Sequence, residues 1–152
     1  MTIQSSQTAQ SDSKYRVLVP IDMNEADALA QARYVASLPD APSTVAVTLT
    51  HVLHGEELDT PPELQSAQRV GAVKRAREWL VDHGIETEIR DVDLLYPLKD
   101  GIISLAETID ADAIVLSGRK RGAVGMALFG SQTQAVLRHT TRPVVVVDPD
   151  EE

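Results

Sequence analysis

Cysteine is absent from this sequence of 152 residues, and so is any long apolar run. Without cysteine the chain can form neither disulfides nor zinc sites with sulfur ligands. No apolar stretch approaches the roughly 20 residues that a membrane-spanning helix needs. The first fourteen residues are polar and lack the apolar core of a signal peptide. These absences predict a cytoplasmic protein of one domain, stabilised by an ordinary hydrophobic core.

Basic residues are scarce, since fourteen Lys and Arg stand against twenty-three Asp and Glu, for a net charge of −9. A surface of this sign repels phosphate backbones, so nucleic acid is not an expected partner. Only four of the basic residues are Lys, and Asp outnumbers Glu. Our hypothesis is adaptation to a high-salt cytoplasm, because the Debye length is only about 3 Å at molar salt and self-repulsion is then screened.

Apolar runs alternate with helical patterns along the chain, which predicts a doubly wound α/β fold. The predicted strands are Tyr15–Ile21, Val45–Val52, Ile85–Val92, Ala113–Ser117 and Pro143–Val147. The predicted helices are Asn24–Leu38, one from Glu63 to Gly84, Leu98–Ile109 and one from about Leu128 to His139. Strict alternation implies a single five-stranded parallel sheet, Rossmann-like, with helices on both faces. We expect the strand order 3-2-1-4-5.

The predicted domain does not fill the whole chain. Residues 1–14 have too little apolar surface to offset the entropy of ordering, and they are predicted to be a disordered tail. The folded domain is expected over residues 15–148, followed by a short acidic tail at residues 149–152. The sequence has no internal repeat and predicts no second domain.

The expected strand order places a ligand crevice between the first and fourth strands, beyond their carboxyl ends. Asp22 follows the first strand, and the loop after the fourth, Ser117–Ser131, is long and rich in glycine. Loops of this length in compact domains are usually functional. This loop carries three consecutive cations, Arg119–Arg121, and Gly130–Ser131 opens the last helix, whose N-terminus attracts anions. Amides, a hydroxyl and cations that converge in this way favour phosphate.

With these features the chain resembles the universal stress protein family from Tyr15 to Asp148. The likeness rests on VLVPID at Val17–Asp22, THV at Thr50–Val52, FGS at the start of the last helix and RPVVVV at Arg142–Val147. The family hallmark, in the loop after the fourth strand, is Gly, two residues, Gly, nine residues, Gly, then Ser or Thr. The resemblance implies a nucleotide-binding regulatory module of the stress response. Its first candidate ligand is ATP, with or without Mg²⁺, and any hydrolysis would be weak.

The resemblance also assigns residues to the site. Asp22 corresponds to the acid at the adenine or ribose end, and Val52 to the strand end whose backbone reads adenine. Gly130 and Ser131 match the last two motif positions. The candidate nucleotide-binding residues are Pro20, Ile21, Asp22, Val52, Leu116, Ser117, Gly118, Arg119, Lys120, Arg121, Gly130, Ser131, Gln132 and Thr133. No catalytic residue and no metal ligand is assigned.

The loop after the fourth strand departs from the family motif. Ser117 and Lys120 stand at the first two glycine positions of the motif when these are counted back from Gly130. Gly118 and Gly122 lie nearby but are shifted. The Arg-Lys-Arg run can compensate through charge-assisted contacts to phosphate. The alternative function is a nucleotide-free dimeric interaction protein of the same family, whose loop binds a small anion or nothing.

Structural roles for the same residues stay open at this point. Asp22 and Gly130–Ser131 can serve as helix caps, and Arg119–Arg121 can be a solvated surface. Two other functional classes share the fold. Enzymes of the adenine-nucleotide α-hydrolase superfamily carry further catalytic motifs that this sequence lacks. A phosphorelay receiver needs an acidic pair after the first strand and a Lys after the last, where Met23 and Asp148 stand.

The last strand carries a signal for self-association. Pro143, Val144, Val145, Val146 and Val147 form an apolar strand, without an inward charge, that the expected order places at the edge of the sheet. Such an edge is a template for pairing with another chain. Two copies paired antiparallel would form a two-fold dimer. The family resemblance implies the same arrangement, so we expect a homodimer, with unknown protein partners and with neither nucleic acid nor membrane.

Overall fold

The computed structural model of the chain describes residues 14–51, 66–92, 98–118 and 131–149. Its strands are β1 (Tyr15–Ile21), β2 (Val45–His51), β3 (Glu86–Ile89), β4 (Ala113–Ser117) and β5 (Val144–Val147). Its helices are α1 (Glu25–Ala36), the single turn α2 (Ala41–Thr44), α3 (Gly71–Asp82), α4 (Leu98–Thr108) and α5 (Ser131–His139). A 3-10 turn, Ala67–Arg69, precedes α3.

The strands form one five-stranded parallel sheet in the order β3-β2-β1-β4-β5. This confirms the predicted fold class and strand order. β1 lies at the centre, and the connections run outward from it, first through β2 to β3 and then through β4 to β5. The strand order therefore reverses between β1 and β4, whose carboxyl ends meet at one edge of the sheet.

Two hydrophobic layers enclose the sheet. Val17, Val19 and Ile21 of β1 pack on one face with the inner sides of α1 and α3. Leu18 faces the other way and packs with α4, β4 and Val136 of α5. This alternation is the period of two expected of a strand that is buried on both faces. Each fully buried aliphatic side chain contributes about 2 kcal/mol, so the two layers fix the position of β1.

Helix boundaries differ from the predicted ones at their first turns. The helix predicted from Asn24 begins at Glu25, because Asn24 is the extended N-cap residue whose side chain accepts from the Asp27 N–H at 3.1 Å. That helix ends at Ala36 rather than Leu38. The helix predicted from Glu63 begins only at Gly71, because Val70 is extended. The apolar periodicity on which the prediction rests also runs through the 3-10 turn Ala67–Arg69, which precedes α3 and is not part of it.

Strand boundaries were predicted too generously. Ile85, the predicted first residue of the third strand, instead donates its N–H to the Leu80 carbonyl at 3.0 Å. Gly84 precedes it with a φ of 77°, so the two residues close the C-terminus of α3, and β3 is only Glu86–Ile89. The last strand begins at Val144 rather than Pro143, and α4 ends at Thr108 rather than Ile109.

Among the described residues, no helix is long and apolar enough to cross a membrane.

Several predicted features fall outside the described residues. They are Val52, Arg119, Lys120, Arg121 and Gly130 of the site, the predicted tail up to residue 13, and residues 150–152. Lys14, the last residue of the predicted tail, is described, and its Nζ lies 3.0 Å from the Glu86 carboxylate of β3.

Candidate functional site

The candidate site is a crevice where β1 and β4 separate. The last pair in the register of these two strands is Leu18 with Ile114, although β1 continues to Ile21 and β4 to Ser117. On its other side, β1 stays paired with β2 as far as Ile21 and His51. The opening therefore lies on the β4 side only, at the point where the strand order reverses. Ligands enter parallel sheets at such a point.

Asp22 stands on the β1 side of the crevice. Its Oδ1 accepts a hydrogen bond from the Asn24 N–H at 2.9 Å, which holds the turn between β1 and α1. The side chain is half-buried, and its second carboxylate oxygen accepts from no donor among the residues that the structure describes. The capping alternative for Asp22 is wrong, because Asn24 is the N-cap of α1. The carboxylate thus closes a turn while it remains at the mouth of the crevice.

Ser117 and Gly118 stand on the β4 side. The Gly118 N–H donates to the Val147 carbonyl of β5 at 3.0 Å, so the chain leaves β4 in a fixed direction. The hydroxyl of Thr133, in the first described turn of α5, donates to the Ser117 carbonyl at 3.4 Å. Thr133 is buried, and this contact brings the N-terminal turn of α5 to the end of β4. The N–H groups of a first helical turn have no partner within the helix and attract anions.

His51 closes the crevice on the β2 side. It is buried, and its Nδ1 lies 2.7 Å from the Ile21 carbonyl. A carbonyl can only accept, so Nδ1 carries the proton and donates. The bond ties the ends of β1 and β2 together, immediately before Asp22. Within the described ranges, no group of three or more His, Cys, Asp or Glu side chains could hold a metal ion.

Two buried polar side chains near the crevice were missed by sequence reasoning. Gln31 and Thr50 are both 0 % exposed. Within the described part of the chain, Gln31 Oε1 and Thr50 Oγ1 have no hydrogen-bond partner. Gln31 lies on the inner side of α1, between Ala28 and Val35 at helical spacing. The available signal was a glutamine within an apolar stripe, because a buried polar side chain is normally hydrogen-bonded to specific partners.

The structure therefore brings most of the described site residues together. Pro20 and Ile21 end β1 and Asp22 follows it, whereas Leu116 and Ser117 end β4 and Gly118 follows that strand. Ser131, Gln132 and Thr133 form the first described turn of α5. Chemically, the crevice offers a carboxylate at one side and helix N–H groups at the other. A ligand with hydroxyl or amino donors at one end and an anionic group at the other fits this polarity.

Comparison with known proteins gives one consistent result. A model of the universal stress protein family matches residues 15–148. A universal stress protein of Mycolicibacterium smegmatis is 32% identical over 160 residues. That match covers 94% of this chain and 51% of the relative, so the chain spans about half of the relative's length.

Solved structures give the same picture for the fold. A universal stress protein from Archaeoglobus fulgidus matches with a TM-score of 0.70 and 25% identity, over 87% of this chain and 97% of its own. A universal stress protein from the same organism, in complex with dAMP, matches with a TM-score of 0.64 and 24% identity. The second match covers 89% of this chain and 98% of the other.

Proposed function

The chain belongs to the universal stress protein family, and we propose that it is a nucleotide-binding module of that family, with ATP as its ligand and a regulatory role in the stress response. The observation that carries the proposal is the opening between β1 and β4, with Asp22 on one side and the Ser117–Gly118 turn on the other. The dAMP complex of a protein with the same fold supports an adenine nucleotide as the ligand class.

The polarity of the crevice orients the proposed ligand. Asp22 faces the ribose or adenine end, where its free oxygen accepts from hydroxyl or amino groups. The phosphates lie toward the first turn of α5, and the Arg119–Arg121 run adds positive charge from the same loop. Mg²⁺ enters with the phosphates of ATP. The role we propose is that of a sensor, with ATP hydrolysis weak at most.

Calorimetric titration of the purified chain with MgATP tests this function. We expect saturable binding near one nucleotide per chain, and no heat at millimolar MgATP would refute the proposal. Inorganic triphosphate is the matched control ligand, because it carries the charge without the nucleoside. Triphosphate binding as tight as that of ATP would show a plain anion site and would also count against a nucleotide function.

A second candidate function is a nucleotide-free interaction protein of the same family. The observation that favours it is the presence of Ser117 and Lys120 where the family motif has glycines. A side chain at either position limits how closely the backbone can approach phosphate. This candidate predicts a dimer that binds no nucleotide and at most a small anion, so the titration with MgATP, with triphosphate as control, separates the two functions.

We propose a homodimer for either function, formed through the open edge of β5. The edge position of β5 in the sheet supports this, and so does the half-exposed state of all four valines of the strand. Antiparallel pairing of two copies would extend the sheet across a two-fold axis.

We also propose that the acidic surface is an adaptation to high salt in the cytoplasm. With a net charge of −9, screening relieves self-repulsion in the folded state. The midpoint of urea unfolding is therefore expected to rise between low and molar KCl. A midpoint that stays constant or falls over this range contradicts the proposal.

A further inference from the structure

The opening between β1 and β4 has a specific cause. One rung, that is, one backbone hydrogen bond between the two strands, is missing from the ladder. In a parallel pair, the backbone groups of alternate residues face the partner strand. Ile114 and Gly118 donate to β5, to the carbonyls of Pro143 at 2.9 Å and Val147 at 3.0 Å. Val115 has the opposite parity, so its carbonyl faces β1.

The residue of β1 that should donate to the Val115 carbonyl is Pro20. Leu18 pairs with Ile114, so the next rung of a parallel ladder would run from the N–H of residue 20 to the carbonyl of residue 115. Proline has no N–H, and the rung cannot form. The ladder therefore stops one rung before the crevice, as the register shows.

Gln31 supplies the missing donor from outside the sheet. Its Nε2 donates to the Val115 carbonyl at 3.0 Å and to the Pro20 carbonyl at 2.8 Å. Both hydrogens of the side-chain amide are thereby used. Gln31 is 0 % exposed, so no water competes for these carbonyls. The amide of α1 thus bridges the two strands at the point where their own hydrogen bonds end.

We infer that Gln31 is a positioning residue for the nucleotide site, which holds β1 and β4 at the separation that the ligand requires. The inference rests on the proposed function. Asp22 and Ser117 each lie two residues beyond the bridged carbonyls of Pro20 and Val115, a distance of about 7 Å along a strand. Among the described residues, no β1–β4 pair follows Leu18 and Ile114 in the register. The bridge therefore sets the spacing of Asp22 and Ser117, which flank the proposed ligand.

The direct test of the bridge uses nuclear magnetic resonance and needs no nucleotide. The two side-chain amide protons of Gln31 are expected to exchange with solvent far more slowly than those of an exposed glutamine such as Gln68. Both protons should also show scalar couplings across the hydrogen bonds, or the chemical shifts of amide protons that are hydrogen-bonded to carbonyls. Rapid exchange of the Gln31 amide overturns the inference whether or not the protein binds ATP.

The functional test is a substitution and its rescue. Gln31→Met keeps the length of the side chain but removes both donors, so the affinity for MgATP is expected to fall about tenfold, a change of 1.4 kcal/mol. Adding Pro20→Ala restores the backbone N–H that can donate to the Val115 carbonyl. The double variant is compared with Pro20→Ala alone, which accounts for any contact between Pro20 and the nucleotide, and relative to that baseline most of the lost affinity should be recovered. Loss of packing at position 31 would not be repaired by a backbone N–H, so rescue separates positioning from mere stability.

The outcomes distinguish the inference from the proposed function. A wild-type chain that binds no nucleotide refutes the proposed function, while the exchange measurement still decides whether the bridge exists. A wild-type chain that binds, together with a Gln31→Met variant that binds equally well, refutes the positioning role alone. Loss of affinity without any recovery in the double variant refutes it as well. Titrations are made where urea unfolding shows each variant to be fully folded.

Discussion

Replacing Val146 with proline is expected to convert the proposed homodimer into a monomer while the domain stays folded. The Pro143 carbonyl, just before β5, accepts from the Ile114 N–H of β4, and the Val147 carbonyl at the end of β5 accepts from the Gly118 N–H just after β4. By the alternation of a parallel ladder, Val145 also faces β4, whereas the backbone groups of Val144 and Val146 point to the open edge. Proline at position 146 removes an outward N–H and leaves the contacts to β4 in place.

Two-fold symmetry doubles the effect of this substitution. Each copy loses one donor to its partner, and the proline ring adds a steric obstacle at the same place in both copies. Two lost hydrogen bonds contribute about 1–3 kcal/mol together, so with the ring the dissociation constant should rise about a hundredfold. Sedimentation equilibrium of wild type and variant at the same protein concentrations measures the change.

The opposite edge of the sheet provides the control. The Arg90 N–H donates to the Leu49 carbonyl at 2.9 Å, so even-numbered residues of β3 face β2 and Thr87 faces outward. Thr87→Pro therefore makes the same change at an edge that is not proposed to pair, and it should leave the dimer intact. A wild-type monomer at micromolar concentration, or a Val146→Pro variant that is still dimeric, would exclude pairing through β5.

The alternation of strands and helices was accessible from the sequence because the pattern of hydrophobicity carries it, whereas the strand order was taken from the doubly wound fold class. Strict alternation of strands and helices leaves few topologies once crossovers are right-handed, and the five strands were found in the expected order. The ends of the elements were less accessible. Ile85 is apolar and alternates with the strand that follows, so its pattern could not reveal that its N–H closes α3 through Gly84.

The candidate site was predictable as far as topology alone determines it. Asp22 and Ser117 could be placed at one crevice because both follow strands that end at the point of reversal. Gln31 could not be placed there. Its role depends on the register of β1 against β4 and on which carbonyl the missing N–H of Pro20 leaves without a donor. Periodicity treats a polar residue on the inner side of a helix as an exception and cannot say which strand it serves.

Replacing Asp22 with asparagine is expected to separate ligand binding from the structural role of this residue. The Asp22 carboxylate accepts from the Asn24 N–H at 2.9 Å, and an asparagine carbonyl can accept the same bond. The turn should therefore survive, with a free energy of unfolding within about 0.5 kcal/mol of the wild type. The lost charge removes a strong acceptor for the nucleoside, a contribution of about 1.5–3 kcal/mol. The affinity for MgATP should thus fall by about ten- to a hundredfold.

Asn24→Ala is the matched control, because Asn24 rather than Asp22 caps α1. Its side chain accepts from the Asp27 N–H at 3.1 Å, and removing that cap should cost about 1 kcal/mol of stability. The backbone N–H that Asp22 accepts from is retained, so the affinity for MgATP should not change. The two variants are thus expected to give opposite results in urea unfolding and in calorimetric titration. If Asp22→Asn weakens folding but not binding, the carboxylate serves the turn alone, and the adenine or ribose end of the ligand must be recognised by another group.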